Sequence, residues 1–124
     1  MNLKTLFLLY LKEQGIDINS IPVDDRKDCT ALSFYNDEMC ICMCFYNDNE
    51  TVEIFVQKEI EISDRLGVLE IINNLNFEYI GITFYEKGGI LRAKSVCKAD
   101  NDLNPVLDLL ARTTSIAKRA FLSF

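Results

Sequence analysis

Residues 39–46, with the sequence Met-Cys-Ile-Cys-Met-Cys-Phe-Tyr, constrain the fold more than any other segment of the chain. In an extended strand, successive side chains point to opposite faces. One face would carry both methionines, Ile41 and Phe45, and the other would carry the three cysteines and Tyr46. An antiparallel sheet with helices on one side has a polar outer face, so a strand that is apolar on both faces needs two covers. We expect the first helix to cover the second face, and the alternative is a second subunit.

Five segments have the composition of strands, and they are residues 29–35, 39–46, 51–62, 77–85 and 90–98. The first three are separated by short turns rich in Asn and Asp, which predicts an antiparallel meander. The last two are joined through Gly88 and Gly89, which supply the positive φ angles that a tight hairpin needs. Residues 16–28 are polar and contain Pro22, so they predict an irregular connection.

Apolar residues at helical spacing predict three helices. The first helix ends at Gly15, the second follows an N-cap at Ser63, and the third follows an N-cap at Asn104, with Pro105 as its first residue. The residues that carry the spacing are Leu3, Leu6, Phe7 and Tyr10, then Leu66, Leu69, Ile72 and Leu75, then Val106, Leu107, Leu110, Thr114, Ala117 and Phe121. The predicted order is α-β-β-β-α-β-β-α. We therefore expect a single α+β domain over residues 1–124, with a five-stranded antiparallel sheet packed with helices.

Composition excludes several classes of activity. The 124 residues include no histidine, which removes Ser-His-Asp and Cys-His catalysis and zinc sites that need an imidazole. The 13 Lys and Arg residues against 19 Asp and Glu residues give a formal charge of −6, which argues against nucleic acid as a partner. Five cysteines, an odd number, predict reduced thiols in the cytoplasm. No apolar run approaches the ~20 residues that span a bilayer, so no membrane partner is expected.

Cys40, Cys42 and Cys44 are the most conspicuous candidates for a metal or redox site. Residues two apart in a strand are roughly 6.6 Å from one another. Sulfurs on one zinc ion lie about 2.3 Å from it and so under about 4 Å apart. A straight strand cannot bring three sulfurs that close together, so core packing is the favoured interpretation. A metal- or redox-responsive thiol protein stays as an alternative.

Charged and aromatic residues on two predicted strands suggest a partner-binding surface. Residues 51–62 carry Glu53, Gln57 and Glu59 on the wetter face, and residues 90–98 carry Arg92, Lys94 and Lys98 on one side. If these strands are neighbours, opposite charges can pair across them. Otherwise the three basic residues would form a docking stripe for an acidic partner. Phe77, Tyr79 and Tyr85 would share one face of the fourth strand, and if exposed they would line a partner groove.

The element order resembles that of the YbjN-like domains, which are described as bacterial sensory transduction regulators and share a fold with type III secretion chaperones. The resemblance covers nearly the whole chain. It is densest in the second helix with its end at residues 73–76, at the hairpin of residues 81–89, and in the long last helix. It implies a small, acidic, cytosolic, dimeric protein that binds other proteins and performs no chemistry.

The sequence therefore predicts a non-enzymatic protein-binding module, a dimeric cytosolic adaptor, regulator or chaperone-like protein. No catalytic residue, cofactor or metal site is predicted. The candidate partner-binding residues are Arg92, Lys94, Lys98, Tyr79 and Tyr85. A second alternative is an enzyme of unrecognised class that uses carboxylates and tyrosine, which would require a deep pocket and a carboxyl group of raised pKa.

Overall fold

A computed structural model describes residues 2–124 and shows three α-helices packed on one antiparallel sheet. The elements in chain order are α1 (Leu3–Glu13), β1 (Val23–Asp25), β2 (Cys29–Asn36), β3 (Met39–Tyr46), β4 (Thr51–Glu59), α2 (Arg65–Glu78), β5 (Thr83–Lys87), β6 (Ile90–Lys98) and α3 (Leu103–Ala120). Single turns of 3₁₀ helix follow α1 and α3, at Ile18–Ser20 and Phe121–Ser123. The predicted α+β class is confirmed.

The sheet has six strands in the order β1-β2-β3-β4-β6-β5, and every neighbouring pair is antiparallel. The predicted meander is present as β2, β3 and β4. The chain then crosses through α2 to the edge strand β5 and returns as β6, which lies between β4 and β5. The prediction of five strands missed β1. This strand has three exposed residues with no alternation, and only its pairing with β2 makes it a strand.

The fourth predicted strand, residues 77–85, is wrong in its first half. Helix α2 continues to Glu78, and the backbone N–H of Tyr79 still donates to the carbonyl of Leu75. The chain then turns through Gly81, which has φ +85°, before β5 begins at Thr83. Phe77 and Ile80 resemble strand residues in the sequence, but both are exposed to solvent.

Two helices begin at residues other than the predicted caps. The side chain of Asp64, and not that of Ser63, caps α2 by accepting a hydrogen bond from the Gly67 N–H. Asp102 caps α3 in the same way through the N–H of Asn104. Aspartate is as good an N-cap as serine or asparagine, so composition alone could not separate these neighbouring candidates.

The main core lies between the helices and one face of the sheet. That face carries Ile41 and Met43 of β3, which are 1% and 0% exposed. Phe7 of α1 packs here, with its ring centroid 5.8 Å from that of Phe34 and 5.7 Å from that of Phe45. Helix α1 therefore lies on the same side as the other helices. The expectation that it covers the cysteine face of β3 is wrong, because the apolar residues of α1 pair with the methionine face.

Two buried hydroxyls and one side-chain amide make polar contacts between the helices and the sheet. Ser95 of β6 and Thr113 of α3 share a hydrogen bond of 2.8 Å inside the core. At the outer edge of β5, the Asn76 side chain of α2 donates to the carbonyl of Phe84 at 2.8 Å and accepts from its N–H at 2.6 Å. This amide takes the place that a neighbouring strand would occupy.

Candidate protein-binding surface

The sheet face turned away from the helices is the candidate site, and we call it the open face. Its residues follow from strand alternation and register, and the central ones are Ala31, Ser33, Tyr35, Cys40, Cys42, Cys44, Tyr46, Glu53, Phe55, Gln57, Arg92, Lys94, Val96, Thr83 and Tyr85. A small apolar cluster occupies its middle. Cys29, Ala31 and Cys44 are buried there, and Cys42 and Phe55 pack against them.

Charged and polar side chains beside this cluster make contacts between β4, β6 and the turn before β4. The two strands are neighbours, and the predicted pairing of opposite charges across them is confirmed for Glu53 and Lys94. Lys94 Nζ lies 3.0 Å from a carboxylate oxygen of Glu53. Arg92 Nε donates to Gln57 Oε1 at 2.9 Å, and Lys98 Nζ lies 3.7 Å from Asp48.

Two of the basic side chains also lie over aromatic rings. The Arg92 guanidinium is 5.8 Å from the centroid of Tyr85, and Lys94 Nζ is 5.7 Å from the centroid of Phe55. Such cation–π contacts hold the charged groups over the sheet and cover part of the apolar rings. The open face is therefore apolar in its middle, and the basic side chains around it already have polar or charged partners within the chain.

The structure brings four of the five candidate partner-binding residues to this face, which are Arg92, Lys94, Lys98 and Tyr85. Tyr79 is elsewhere. It follows α2, is half-buried, and packs on the helix-covered side with its ring centroid 6.0 Å from that of Phe84. Phe77, Tyr79 and Tyr85 therefore do not share a face, because Phe77 belongs to a helix and Tyr79 to a turn.

Glu53 is the most strongly engaged carboxylate of the open face. The Tyr46 hydroxyl donates to it, and Lys94 pairs with its other oxygen. Partial burial of Glu53 raises its pKa, but the hydrogen bonds from Tyr46 and Lys94 outweigh burial and hold the pKa below its ordinary value. The same hydrogen bond raises the pKa of Tyr46 to about 12. Sequence reasoning missed this pair, which depends on the register of β3 against β4.

The carboxyl groups give no support to the enzyme alternative. Over residues 2–124, the resolved shifts of carboxyl pKa values, at Glu53 and Asp48, are both downward. Backbone N–H groups of Thr51 and Glu50 lower the pKa of Asp48 to about 2. A groove of about 570 Å³ runs between α1 and α3, and its lining is largely apolar, with an ion pair of 3.0 Å between Lys118 and Asp37 at the rim. The enzyme alternative required a carboxyl group of raised pKa in a deep pocket, and neither Glu53 nor Asp48 has a raised pKa.

The cysteines are all free thiols. Within residues 2–124, no group of three or more potential ligand side chains is placed to hold a metal ion. A hydrogen bond with the Cys44 thiol, helped by Ser33 and by the charges of Arg26 and Arg92, lowers the pKa of Cys42 to about 6 against the effect of burial. The shared hydrogen bond and burial raise the pKa of Cys44. Burial also raises the pKa of Cys97.

A second set of exposed apolar residues comprises Leu66, Leu69 and Phe77 of α2 and Ile80 in the turn that follows it, with the polar residues Glu70 and Asn73 between them, and we call this set the α2 stripe. Phe77 is 93% exposed, Ile80 87% and Leu66 74%. Leu66, Leu69, Ile72 and Leu75, which carry the predicted helical spacing, all lie in α2, but only the last two are buried. These four residues are spaced three apart, and three residues turn an α-helix by about 300°, which is about 60° short of a full turn. Each residue is therefore displaced around the helix from the one before it, and the series passes from the solvent side to the core.

Over residues 2–124 we find no helix that is both long enough and apolar enough to cross a membrane.

Comparisons with known proteins give a match at the level of structure. No protein-family model matches the chain, and no curated protein sequence matches it. The crystal structure of YbjN from E. coli, described as a proposed transcription regulator, matches with a TM-score of 0.66. The match covers 98% of this chain and 90% of YbjN, at 12% sequence identity. The chain therefore has a YbjN-like fold over nearly its whole length, as the resemblance in the sequence implied.

Proposed function

We propose that this protein is a non-enzymatic protein-binding module that binds its partner through the open face. The observation that carries the proposal is an apolar sheet centre that no helix in residues 2–124 covers. The outer face of an antiparallel sheet is polar when it only meets water. An apolar centre inside a polar rim is the usual organisation of a protein–protein interface.

Exposed apolar residues extend this surface beyond its centre. Tyr35 of β2 is 77% exposed and Val96 of β6 is 53% exposed, and the two lie on opposite sides of the cysteine strand. A partner seated on the face would contact Tyr85 and the three basic residues at the rim. Because Arg92, Lys94 and Lys98 already have partners within the chain, acidic groups of a ligand would compete with Gln57, Glu53 and Asp48 for them.

The role that fits this surface is that of an adaptor, regulator or chaperone-like protein. YbjN is described as a proposed transcription regulator. With a formal charge of −6, this chain lacks the excess of basic residues that phosphate binding requires. We therefore propose that any regulation proceeds through a protein partner. The five free thiols support the cytoplasm as its compartment.

Self-association would use the α2 stripe. Large apolar side chains exposed as fully as Phe77, Ile80 and Leu66 are unusual on a monomer and are typical of permanent subunit interfaces. A homodimer formed there leaves the open face accessible, because α2 packs on the other side of the sheet.

Charge reversal at Arg92 tests the partner-binding proposal. Tagged protein is recovered from its native host, and co-purifying proteins are identified by mass spectrometry. We expect Arg92→Glu to lose a protein that the wild type retains, because the change places a negative charge beside the carbonyl oxygen of Gln57 at the rim. Lys12→Glu makes the same change of charge at an exposed position of α1, away from the open face. It is the matched control, and this variant should still bind the partner protein. Identical partner sets for Arg92→Glu and wild type would contradict the proposal.

Light scattering at micromolar concentration tests the dimer separately. We expect twice the chain mass for the wild type and a single chain mass for Phe77→Glu, because a charge would be desolvated in the interface. The circular dichroism spectrum of Phe77→Glu, compared with that of the wild type, is the control for helix stability. A monomeric wild type would contradict dimerisation without affecting the proposal for the open face.

A further inference from the structure

The groove between α1 and α3 lies on the helix-covered side of the sheet, away from the open face. Asn49, in the turn before β4, accepts a hydrogen bond from the Leu3 N–H at 2.9 Å and donates to the Asn101 side chain at 2.6 Å. These two bonds tie the start of α1 to the residues just before α3. Further along the helices the groove opens between them, and the sheet contributes Phe34 and Ile41 to its lining.

The lining of the groove changes from apolar to polar along α3. Leu107 and Leu110 line its first part, and Thr114, Ser115 and Lys118 line its second part. Residues three or four apart are neighbours on a helix surface, so these side chains follow one line along the groove. The polar residues that join them come from the end of α1 and from the β2–β3 turn, and they are Gln14, Asn36 and Asp37. A ligand that matches this lining has an apolar body and one polar head.

Thr114 supplies a second, independent observation that points to a ligand. The residue lines the groove, yet its Oγ1 atom is shielded from water and has no hydrogen-bond partner within residues 2–124. Buried hydroxyl groups in folded proteins are usually hydrogen-bonded, because an unpaired one costs free energy. Threonine in a helix has two accessible χ1 rotamers, so rotation about one bond can direct this hydroxyl to a polar group in the groove.

Lys118 selects the charge of the polar head. Its Nζ lies 3.0 Å from a carboxylate oxygen of Asp37, and both side chains are about two-thirds exposed, at 66% and 61%. A lysine ammonium has three N–H donors on a flexible stem, so it can keep Asp37 and still bind a second carboxylate. Thr114 and Lys118 are four residues apart on α3, so one carboxylate can accept hydrogen bonds from both. A cationic head would be repelled by Lys118 and attracted only by Asp37.

We propose that the groove between α1 and α3 binds a medium-chain fatty acid, with its acyl chain against Phe34 and Ile41 and its carboxylate on Lys118 and Thr114. The volume of about 570 Å³ lies within the range of roughly 300–1,000 Å³ that is usual for small-molecule sites. The wall from Leu107 to Lys118 is about 16.5 Å long, since each helical residue rises about 1.5 Å. An elongated chain with a single head fits such a groove. This site goes beyond the proposed function and uses the other side of the sheet.

Calorimetric titration of the full-length chain with decanoate, below its micelle-forming concentration, tests the site. We expect saturable binding of one decanoate per chain. Ala111 lines the groove at an exposed position of α3, so Ala111→Phe should fill the groove with a ring and abolish this binding while the circular dichroism spectrum stays unchanged. A wild type without saturable binding, or an Ala111→Phe variant that binds as the wild type does, would overturn the proposal.

The head group is tested by matched changes of charge. Lys118→Gln should weaken decanoate binding about fivefold, the scale of a partly exposed ion pair. Arg119→Gln removes the same charge from the next residue of α3, outside the groove lining, and should leave the affinity unchanged. Asp37→Asn removes the competing acid and should tighten binding. Decyltrimethylammonium, with the same chain and a cationic head, should bind more weakly than decanoate. Equal affinity for the two amphiphiles, or equal effects of Lys118→Gln and Arg119→Gln, would overturn the proposal.

Thr114→Val separates a ligand-binding hydroxyl from a structural one. The change removes the hydroxyl but keeps the branched shape, so decanoate binding should weaken about fivefold, the scale of one hydrogen bond. The free chain should not lose stability in urea, because this hydroxyl has no partner to lose. A less stable Thr114→Val variant that binds decanoate as tightly as the wild type would contradict the proposed role of Thr114 and overturn the site.

A second copy of the chain and a polypeptide segment are the other occupants that the groove could take. If decanoate does not bind and Ala111→Phe halves the mass in light scattering, the groove is a subunit interface. If this variant instead loses a co-purifying protein, a polypeptide occupies the groove. Either result would overturn the fatty-acid proposal. The Arg92→Glu and Phe77→Glu tests concern the open face and the α2 stripe, so failure of this proposal leaves the proposed function unaffected.

Discussion

The two faces of β3 differ in what covers them, although both are apolar in sequence. Ile41 and Met43 lie on the face that the helices cover and are almost completely buried. Cys40 and Cys42, which alternate with them in the same strand, lie on a face where only neighbouring side chains provide cover. The covered face uses long aliphatic and aromatic side chains, whereas the open face uses small thiols and aromatics shielded by charges. Hydrophobicity alone therefore does not distinguish the face that the helices cover from the open face.

The largest expected difference between the faces is in the cost of removing an aromatic ring. Phe7→Ala should lower the free energy of unfolding by about 3–5 kcal/mol, because Phe7 is fully buried between Phe34 and Phe45. Phe55→Ala, on the half-exposed open face, should cost less than half as much. Urea denaturation measures both. Equal costs would mean that the open face contributes to stability as a second core.

A smaller effect is expected at the buried polar pair of the covered face. Thr113→Val leaves the Ser95 hydroxyl buried without its partner and should cost about 1–3 kcal/mol. The double variant with Ser95→Ala removes both hydroxyls, so it should be less unstable than the single variant. A double variant that is as unstable as the sum of both single variants would show that the two hydroxyls contribute independently.

The smallest effect is expected at the charges of the open face. Glu53→Gln should cost at most about 1 kcal/mol at pH 7, since its partner Lys94 is partly exposed. The pKa of Glu53 is depressed in the folded state, so its contribution is present above its ordinary pKa. It is lost as the pH falls through the depressed value. The stability difference between variant and wild type should therefore disappear in acid, and a difference that grows in acid would contradict the assignment.

Local patterns predicted most of the sheet. Turn composition and alternation gave the meander, and residues 90–98 form β6 at the predicted bounds. The alternation also placed Arg92, Lys94 and Lys98 together on one face. What local patterns could not give is the side on which the helices pack, because residues 39–46 are apolar on both faces. That choice depends on the path of α1 across the sheet.

The errors fall where side-chain chemistry and burial diverge. Phe77 and Ile80 are apolar in sequence although both are exposed, so the segment was predicted as a strand. Tyr79 was therefore assigned to that strand, whereas it lies directly after α2. Strand β1 has charged, exposed residues and no periodicity to detect. The surroundings of Cys42 depend on the register of β2 against β3 and on Arg26, which lies in a connection that composition describes only as polar.

The way the sheet ends has a consequence for how the molecule can associate. At one border, the Asn76 amide satisfies the outward backbone groups of Phe84. At the other, β1 offers only three residues, of which Asp24 and Asp25 are acidic. Strand-by-strand polymerisation into fibres needs a long, uncharged border with free backbone groups. Neither border provides one, so the sheet does not favour growth by strand addition, and any self-association would have to use side-chain surfaces.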